Sequence, residues 1–101
     1  MYRPLPPYLT IRDSEINGLG LFATKTIKIS TNLGLTHVFN PLFENNFIRT
    51  PLGGFFNHNQ INPNCKILQD GDYLFLVTIK DIQPNEELTA KYTLYNPEIV
   101  V

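Results

Sequence analysis

Three short runs of the sequence gather residue types able to hold a polar ligand. The first is Asn17-Gly18-Leu19-Gly20-Leu21-Phe22-Ala23, with two glycines one residue apart. Glycine has no Cβ, so such a backbone can pass close to a ligand without interference. The run lacks the third glycine and following helix of a dinucleotide fingerprint, and taken alone it is also the pattern of an ordinary hairpin turn. The second run is Gly54-Phe55-Phe56-Asn57-His58, followed by Pro63-Asn64-Cys65. Asn and His together offer donors and acceptors that suit the edge of a purine, or equally a network that pins its own loop. The third is Pro84-Asn85-Glu86-Glu87-Leu88-Thr89-Ala90-Lys91-Tyr92. Neighbouring residues of a strand point to opposite faces. Glu86 and Glu87 therefore make a poor acid–base pair, and a glycosidase-like use of them fails on geometry. Tyr92 is either a phenol presented at a strand end or a plain core or edge tyrosine.

Other polar candidates carry less. His37 has no carboxylate near it in sequence to orient it as a base, so it reads as structural. His37, His58 and Cys65 lack the spacing of metal ligands, and no metal is expected. The single cysteine allows no internal disulfide and reads as a buried thiol.

The elements that must position these runs are short. Eight prolines and six glycines punctuate 101 residues and leave little room for long helices. Tyr8 to Arg12 alternates like a strand, Asn17-Gly18 marks a turn, and Leu19 to Ile29 holds one or two short strands. Leu33 to Phe39 is another strand, and Leu42 to Ile48 is either a helical turn or an irregular loop. Pro51 to Cys65 reads as a long functional loop. Lys66 to Gln69 and Tyr73 to Ile79 flank Asp70-Gly71, a type I′ hairpin signal. Both faces of Tyr73 to Ile79 begin apolar, which makes that strand central. Glu87 to Tyr95 is the last strand. The class is all-β, built from many short strands.

Composition bounds the function. Hydrophobic residues form 43% of the chain, enough to bury a core, and the length suits one small domain over 1–101, with an extended lead-in at 1–7 and a tail at 96–101. Eight basic residues face nine acidic ones, which argues against direct nucleic-acid binding. No apolar run approaches the roughly 20 residues of a membrane span. The proline-rich start is not a signal peptide, and the default compartment is the cytoplasm.

Taken in order, the three runs resemble the SET-domain family of protein lysine methyltransferases. Gly18-Leu19-Gly20 matches its Gly-x-Gly segment, Asn57-His58 with Pro63-Asn64-Cys65 its Asn-His loop, and Asn85-Glu86-Glu87-Leu88-Thr89-Ala90-Lys91-Tyr92 its closing motif. The likeness runs from Leu9 to Tyr95. The chain departs from the pattern in its Asn59 to Asn62 loop, one residue longer than usual, with Asn59 where serine is usual. It also has Gly54 where arginine is common and Lys91 where aspartate precedes the tyrosine. The family's Tyr-x-Gly motif has no clear match around Thr36 to Phe39.

The resemblance implies a β-clip-like fold with a threaded C-terminal segment, and methyl transfer from S-adenosylmethionine to a lysine of a protein substrate, a histone or another host protein. It implies cofactor contacts at Gly18, Leu19, Gly20, Asn57 and His58, and a catalytic role for Tyr92. A lysine amine has a pKa near 10.4 in water; an apolar channel favours its neutral form. Phe39, Phe55, Phe56, Tyr73 and Tyr95 are the candidate walls, and Ala90, where many relatives carry an aromatic, leaves room for multiple methylation. A SET-fold module that binds without transfer is the alternative. Stand-alone domains this short resemble viral or bacterial ones, which extends the expected compartments to the host cytoplasm or nucleus. The apolar tail Ile99-Val100-Val101 suits burial against a second copy, so a homodimer is expected.

Overall fold

The structure, a computed structural model, describes residues 5–43, 46–59 and 61–91. Strands β1 (Leu9–Asp13) and β2 (Leu19–Ala23) form an antiparallel hairpin in register from Leu9↔Ala23 to Asp13↔Leu19. The remaining strands are β3 (Asn32–Phe39), β4 (Phe47–Arg49), β5 (Asn57–His58), β6 (Cys65–Asp70), β7 (Tyr73–Thr78) and β8 (Thr89–Ala90). They form a six-stranded sheet in the order β4-β3-β7-β6-β8-β5.

The strand at Tyr73 is central, as its two apolar faces require: β7 lies between β3 and β6 and buries Leu74, Leu76 and Thr78 on one side. Its hairpin with β6 pairs Asp70 with Tyr73, so the turn residues are Gly71 and Asp72. Of these only Gly71 takes a positive φ, at 61°. That is the pattern of a type II′ turn rather than the expected I′, which needs positive φ at both central residues.

The stretch from Pro51 to Cys65 is not one long loop. It opens with a short helix, α1 (Pro51–Phe55), and continues into β5. Thr50 caps the helix through its hydroxyl, which accepts from the Gly53 N–H at 3.3 Å, and Pro51 supplies a pre-set φ at the first turn. The helix lies against β3 at a bulge between Leu35 and His37. Contact there is so close that a Cβ on Gly53 would stand 2.1 Å from the Thr36 carbonyl oxygen. The fold is thus mostly rather than wholly β.

One core serves both sheets. Leu9, Leu21 and Ala23 of the hairpin pack with Leu33, Leu52, Phe56, Leu76, Ile82 and Leu88. The last strand is shorter than the sequence suggests: β8 spans Thr89–Ala90, and Glu87 makes an isolated antiparallel bridge with Phe22. The threaded C-terminal segment, Tyr92, Tyr95 and the tail behind the homodimer expectation lie outside the described residues.

His37 is structural, as its sequence setting implies. It is 1% exposed, with Nδ1 at 2.9 Å from the Thr36 hydroxyl. That hydroxyl donates to the Leu74 carbonyl, so Nδ1 carries the proton and Nε2 has no partner among the described residues. Burial, then the charge of Arg49 across the β3–β4 pair, lowers the His37 pKa from 6.5 to about 4. Between those values the unfolded chain binds the extra proton. This contribution is therefore complete above pH 6.5 and is lost as pH falls toward 4, at up to about 1.4 kcal/mol per pH unit. Urea unfolding at pH 7 and pH 4.5 should show a smaller loss in His37→Leu than in the wild type. Equal losses would remove His37 from the account.

Candidate active site

The three sequence runs meet at one corner of the molecule, and backbone pairing brings them there. The hairpin docks on the closing run through hydrogen bonds from Asn85 N to Ala23 O (2.7 Å), Ala23 N to Glu86 O (3.0 Å) and Leu88 N to Leu21 O (2.8 Å). Asn85 makes the turn that permits this, with φ of 70°, a conformation asparagine tolerates. On the other side β5 runs parallel to β8, pairing Asn57 with Thr89 and His58 with Ala90.

Asn64 locks the closing run in place. Its Nδ2 donates to Glu87 O at 2.7 Å and to a Glu86 carboxylate oxygen at 3.2 Å, while its Oδ1 accepts from Thr89 N at 2.8 Å. Glu86 faces away from the corner and also accepts from Gln83 N at 3.0 Å. The two glutamates take different sides, although both precede the last strand, with Glu86 just after the Asn85 turn and Glu87 in the bridge to Phe22.

Glu87 turns inward. Ser14 Oγ lies 2.8 Å from both of its carboxylate oxygens, and Asn57 Nδ2 lies 2.7 Å from Oε2. Asn57 is 8% exposed, and its amide nitrogen also reaches Ser14 Oγ (3.1 Å), Asn17 O (3.2 Å) and Leu19 O (3.3 Å). The amide nitrogen expected at a ligand is thus occupied with the Ser14–Leu19 turn. Among the described residues no donor reaches Asn57 Oδ1.

The two glycines play different parts. Gly18 has φ of 50° and open space where a Cβ would stand. At Gly20 a Cβ would stand 2.3 Å from Glu87 Oε2 and 3.2 Å from Asn57 Nδ2. A side chain at Gly20 therefore meets Glu87, not ligand space as the sequence suggests. Because moving the Glu87 side chain breaks its bonds from Ser14 and Asn57, Gly20→Ala should fold but with its midpoint temperature lowered by roughly 5–10 °C. The amides of the Ser14–Leu19 turn should exchange faster as that carboxylate moves. Melting and exchange as in the wild type would contradict this.

Among the described residues, the expected channel residues do not gather. Phe56 is 4% exposed within the core, and Phe55 packs against that core. Ala90 is fully buried and pairs with Cys65 at one end of the β6–β7 hairpin. Tyr73 pairs with Asp70 at the other end, and Phe39 sits beside it with its N–H donating to Asp72 O at 2.7 Å. From Cys65 to Asp70 the strand rises about 17 Å at ~3.4 Å per residue. Phe39 and Tyr73 thus form a half-exposed cluster, with Phe47 edge-on to Phe39 at 5.9 Å, remote from Ala90 and Asn57. Leu19 is 48% exposed at the turn.

Ser14 and Glu87 were not legible as site residues. Ser14 lies outside the glycine run, and Glu87 matters through contacts that spacing cannot show. Cys65 is buried, and burial, then the nearby Glu86 charge, pushes its thiol up to about 12. It is neither a nucleophile nor a ready ligand at neutral pH. Among the described residues no three His, Cys, Asp or Glu side chains are placed to hold a metal ion. A cleft of about 430 Å³ opens beside Glu87, lined by Asp13, Glu15, Ile16, Phe22 and Asn85.

The SET-domain profile matches residues 36–93, more than half of the chain, covering the second and third runs. The chain belongs to the SET-domain family. The structure of this SET domain superposes on that of a Plasmodium falciparum protein provisionally assigned as a histone methyltransferase. The TM-score is 0.70 at 17% identity, over 87% of this chain and 95% of that one. It also superposes on the methyltransferase domain of human PR domain-containing protein 2, with a TM-score of 0.68 at 20% identity, over 94% of this chain and 84% of that one. At these identities the likeness establishes the fold. No curated protein sequence matches the chain significantly. The activity that goes with a SET domain is methyl transfer from S-adenosylmethionine to the side chain of a protein lysine.

Proposed function

We propose that the corner built by Ser14–Gly20, Asn57–His58 and Glu87 is where S-adenosylmethionine binds, and that Tyr92 supports transfer to the lysine. The observation that carries this reading is the convergence of the three runs on one network, Ser14–Glu87–Asn57. Its chemistry suits the amino-acid end of the cofactor. An ammonium group needs acceptors, and this corner offers the carbonyls of Asn17 and Leu19 and Asn57 Oδ1. Asn57 Nδ2 has two hydrogens to share among four nearby acceptors, so these two carbonyls, at 3.2 and 3.3 Å, keep lone pairs free.

The cofactor supplies a methyl group on a sulfonium, which leaves as the lysine nitrogen attacks. The protein's task is then chiefly positioning. Gly18 and Gly20 keep side chains out of the turn, Asn57 holds the turn to the sheet, and Asn64 fixes the run that leads to Tyr92. The longer Asn59–Asn62 loop carries hydrogen bonds of its own. Asn59 Oδ1 accepts from Ile61 N at 3.1 Å and Asn62 N at 3.0 Å, a turn closed on itself.

Incubation of the full chain with methyl-labelled S-adenosylmethionine and lysine-bearing proteins tests the reading. Label on a lysine Nζ is expected. Cofactor binding with no label on any lysine would replace it with the non-catalytic binding module.

A further inference from the structure

We infer that Glu87 and Ser14 are positioning residues for the cofactor: together they hold the glycine turn against the Asn57–His58 strand. The inference rests on the reading of this corner as the cofactor site, and it assigns affinity to two residues outside the glycine and Asn-His runs.

Ser14 organises the turn from within. Its N–H donates to Gly18 O at 2.8 Å, and its Oγ accepts from Ile16 N at 3.0 Å and Asn17 N at 3.4 Å. With acceptor duties filled by backbone N–H groups and Asn57, its hydroxyl proton goes to Glu87. Glu87 likewise receives the Asn57 amide proton. The carboxylate is therefore the common acceptor for one group from the turn and one from the strand. Both donors are neutral, and a carboxylate is the acceptor that binds two such donors most strongly.

The glycine supplies an independent observation. Gly20 has its missing Cβ aimed at the carboxylate, so the hairpin is shaped to admit Glu87 at this depth. Without Glu87, Ser14 Oγ and Asn57 Nδ2 keep only contacts within reach of the turn. The turn carbonyls would then no longer be held at a fixed height above the strand.

Calorimetric affinity, steady-state kinetics and amide hydrogen exchange on Ser14→Ala, Glu87→Gln and Ser14→Thr test this. Ser14→Ala and Glu87→Gln should each weaken S-adenosylmethionine binding about 10- to 100-fold, the range for losing a hydrogen bond to a charged group. The loss should fall on the cofactor KM more than on kcat, and exchange at the Ile16 and Asn17 amides should speed up. Ser14→Thr, which keeps the hydroxyl, should restore affinity to within a few-fold of wild type. Affinities of both variants within twofold of wild type would overturn the inference. So would a Ser14→Thr variant as weak as Ser14→Ala, since the hydroxyl would then not be what matters. A wild-type chain that binds no S-adenosylmethionine would instead overturn the cofactor reading, and the role given to Glu87 would fall with it.

Discussion

Tyr92→Phe should cut methyl transfer by roughly two to four powers of ten while leaving cofactor affinity within a few-fold, the range for loss of one positioned catalytic group. The substitution keeps the ring and removes only the hydroxyl. A phenol has a pKa near 10, so at neutral pH it is a poor base, and the role proposed for Tyr92 is to orient the amine lone pair toward the methyl group. The residues that lead up to it are firmly held. Thr89 N is bonded to Asn64, and Ala90 is buried between the β5 and β6 partners. Single-turnover transfer on a peptide that the wild type methylates is the measurement. An unchanged rate would take Tyr92 out of the reaction.

The largest stability effect is expected at Gly53, and it separates two adjacent glycines. A Cβ there would meet the backbone of Thr36, with the carbonyl oxygen at 2.1 Å and the carbonyl carbon at 2.8 Å. Backbone cannot rotate aside as a side-chain end can, so α1 must lift from the β3 bulge. Overpacking of this kind costs about 1–3 kcal/mol. In a domain of this size that lowers the midpoint of thermal unfolding by roughly 5–20 °C. Because α1 runs directly into Phe56 and Asn57, cofactor affinity should fall as well. At Gly54 nothing lies within 4 Å of the added Cβ. Gly54→Ala should be neutral, or should stabilise by up to about 1 kcal/mol through reduced freedom of the unfolded chain. Equal melting of the two variants would contradict the packing of α1 on β3.

These two glycines show where sequence reading ended. Gly53-Gly54 reads as loop, and only the approach of Thr36 reveals that one of the pair is obligatory. Thr50 caps a helix there and Pro51 fits its first turn, but the helix is too short for apolar periodicity to announce it. The β6–β7 hairpin was readable because Gly71 and the alternating strands carry local signals, and the error there was a single turn residue. The site was half legible. Gly18, Gly20, Asn57 and His58 stand out by type and spacing, and pairing in the fold brings them to one corner. Ser14 and Glu87 hold that corner through contacts separated by 73 residues, which no local pattern encodes. The channel aromatics are a different case: Phe56 has the chemistry of a channel wall, but in so small a domain it is buried in the core.

The central claim is that three runs distant in sequence form one cofactor site. Amide chemical-shift mapping on the full chain, titrated with S-adenosylmethionine, tests it most directly. Saturable shifts clustered at Asn17–Gly20, Asn57–Asn59 and Glu87–Ala90 are the predicted result. Saturable shifts confined to another surface, such as the cleft of about 200 Å³ lined by Tyr8, Lys25 and Thr31, would contradict it, as would no shifts at millimolar cofactor.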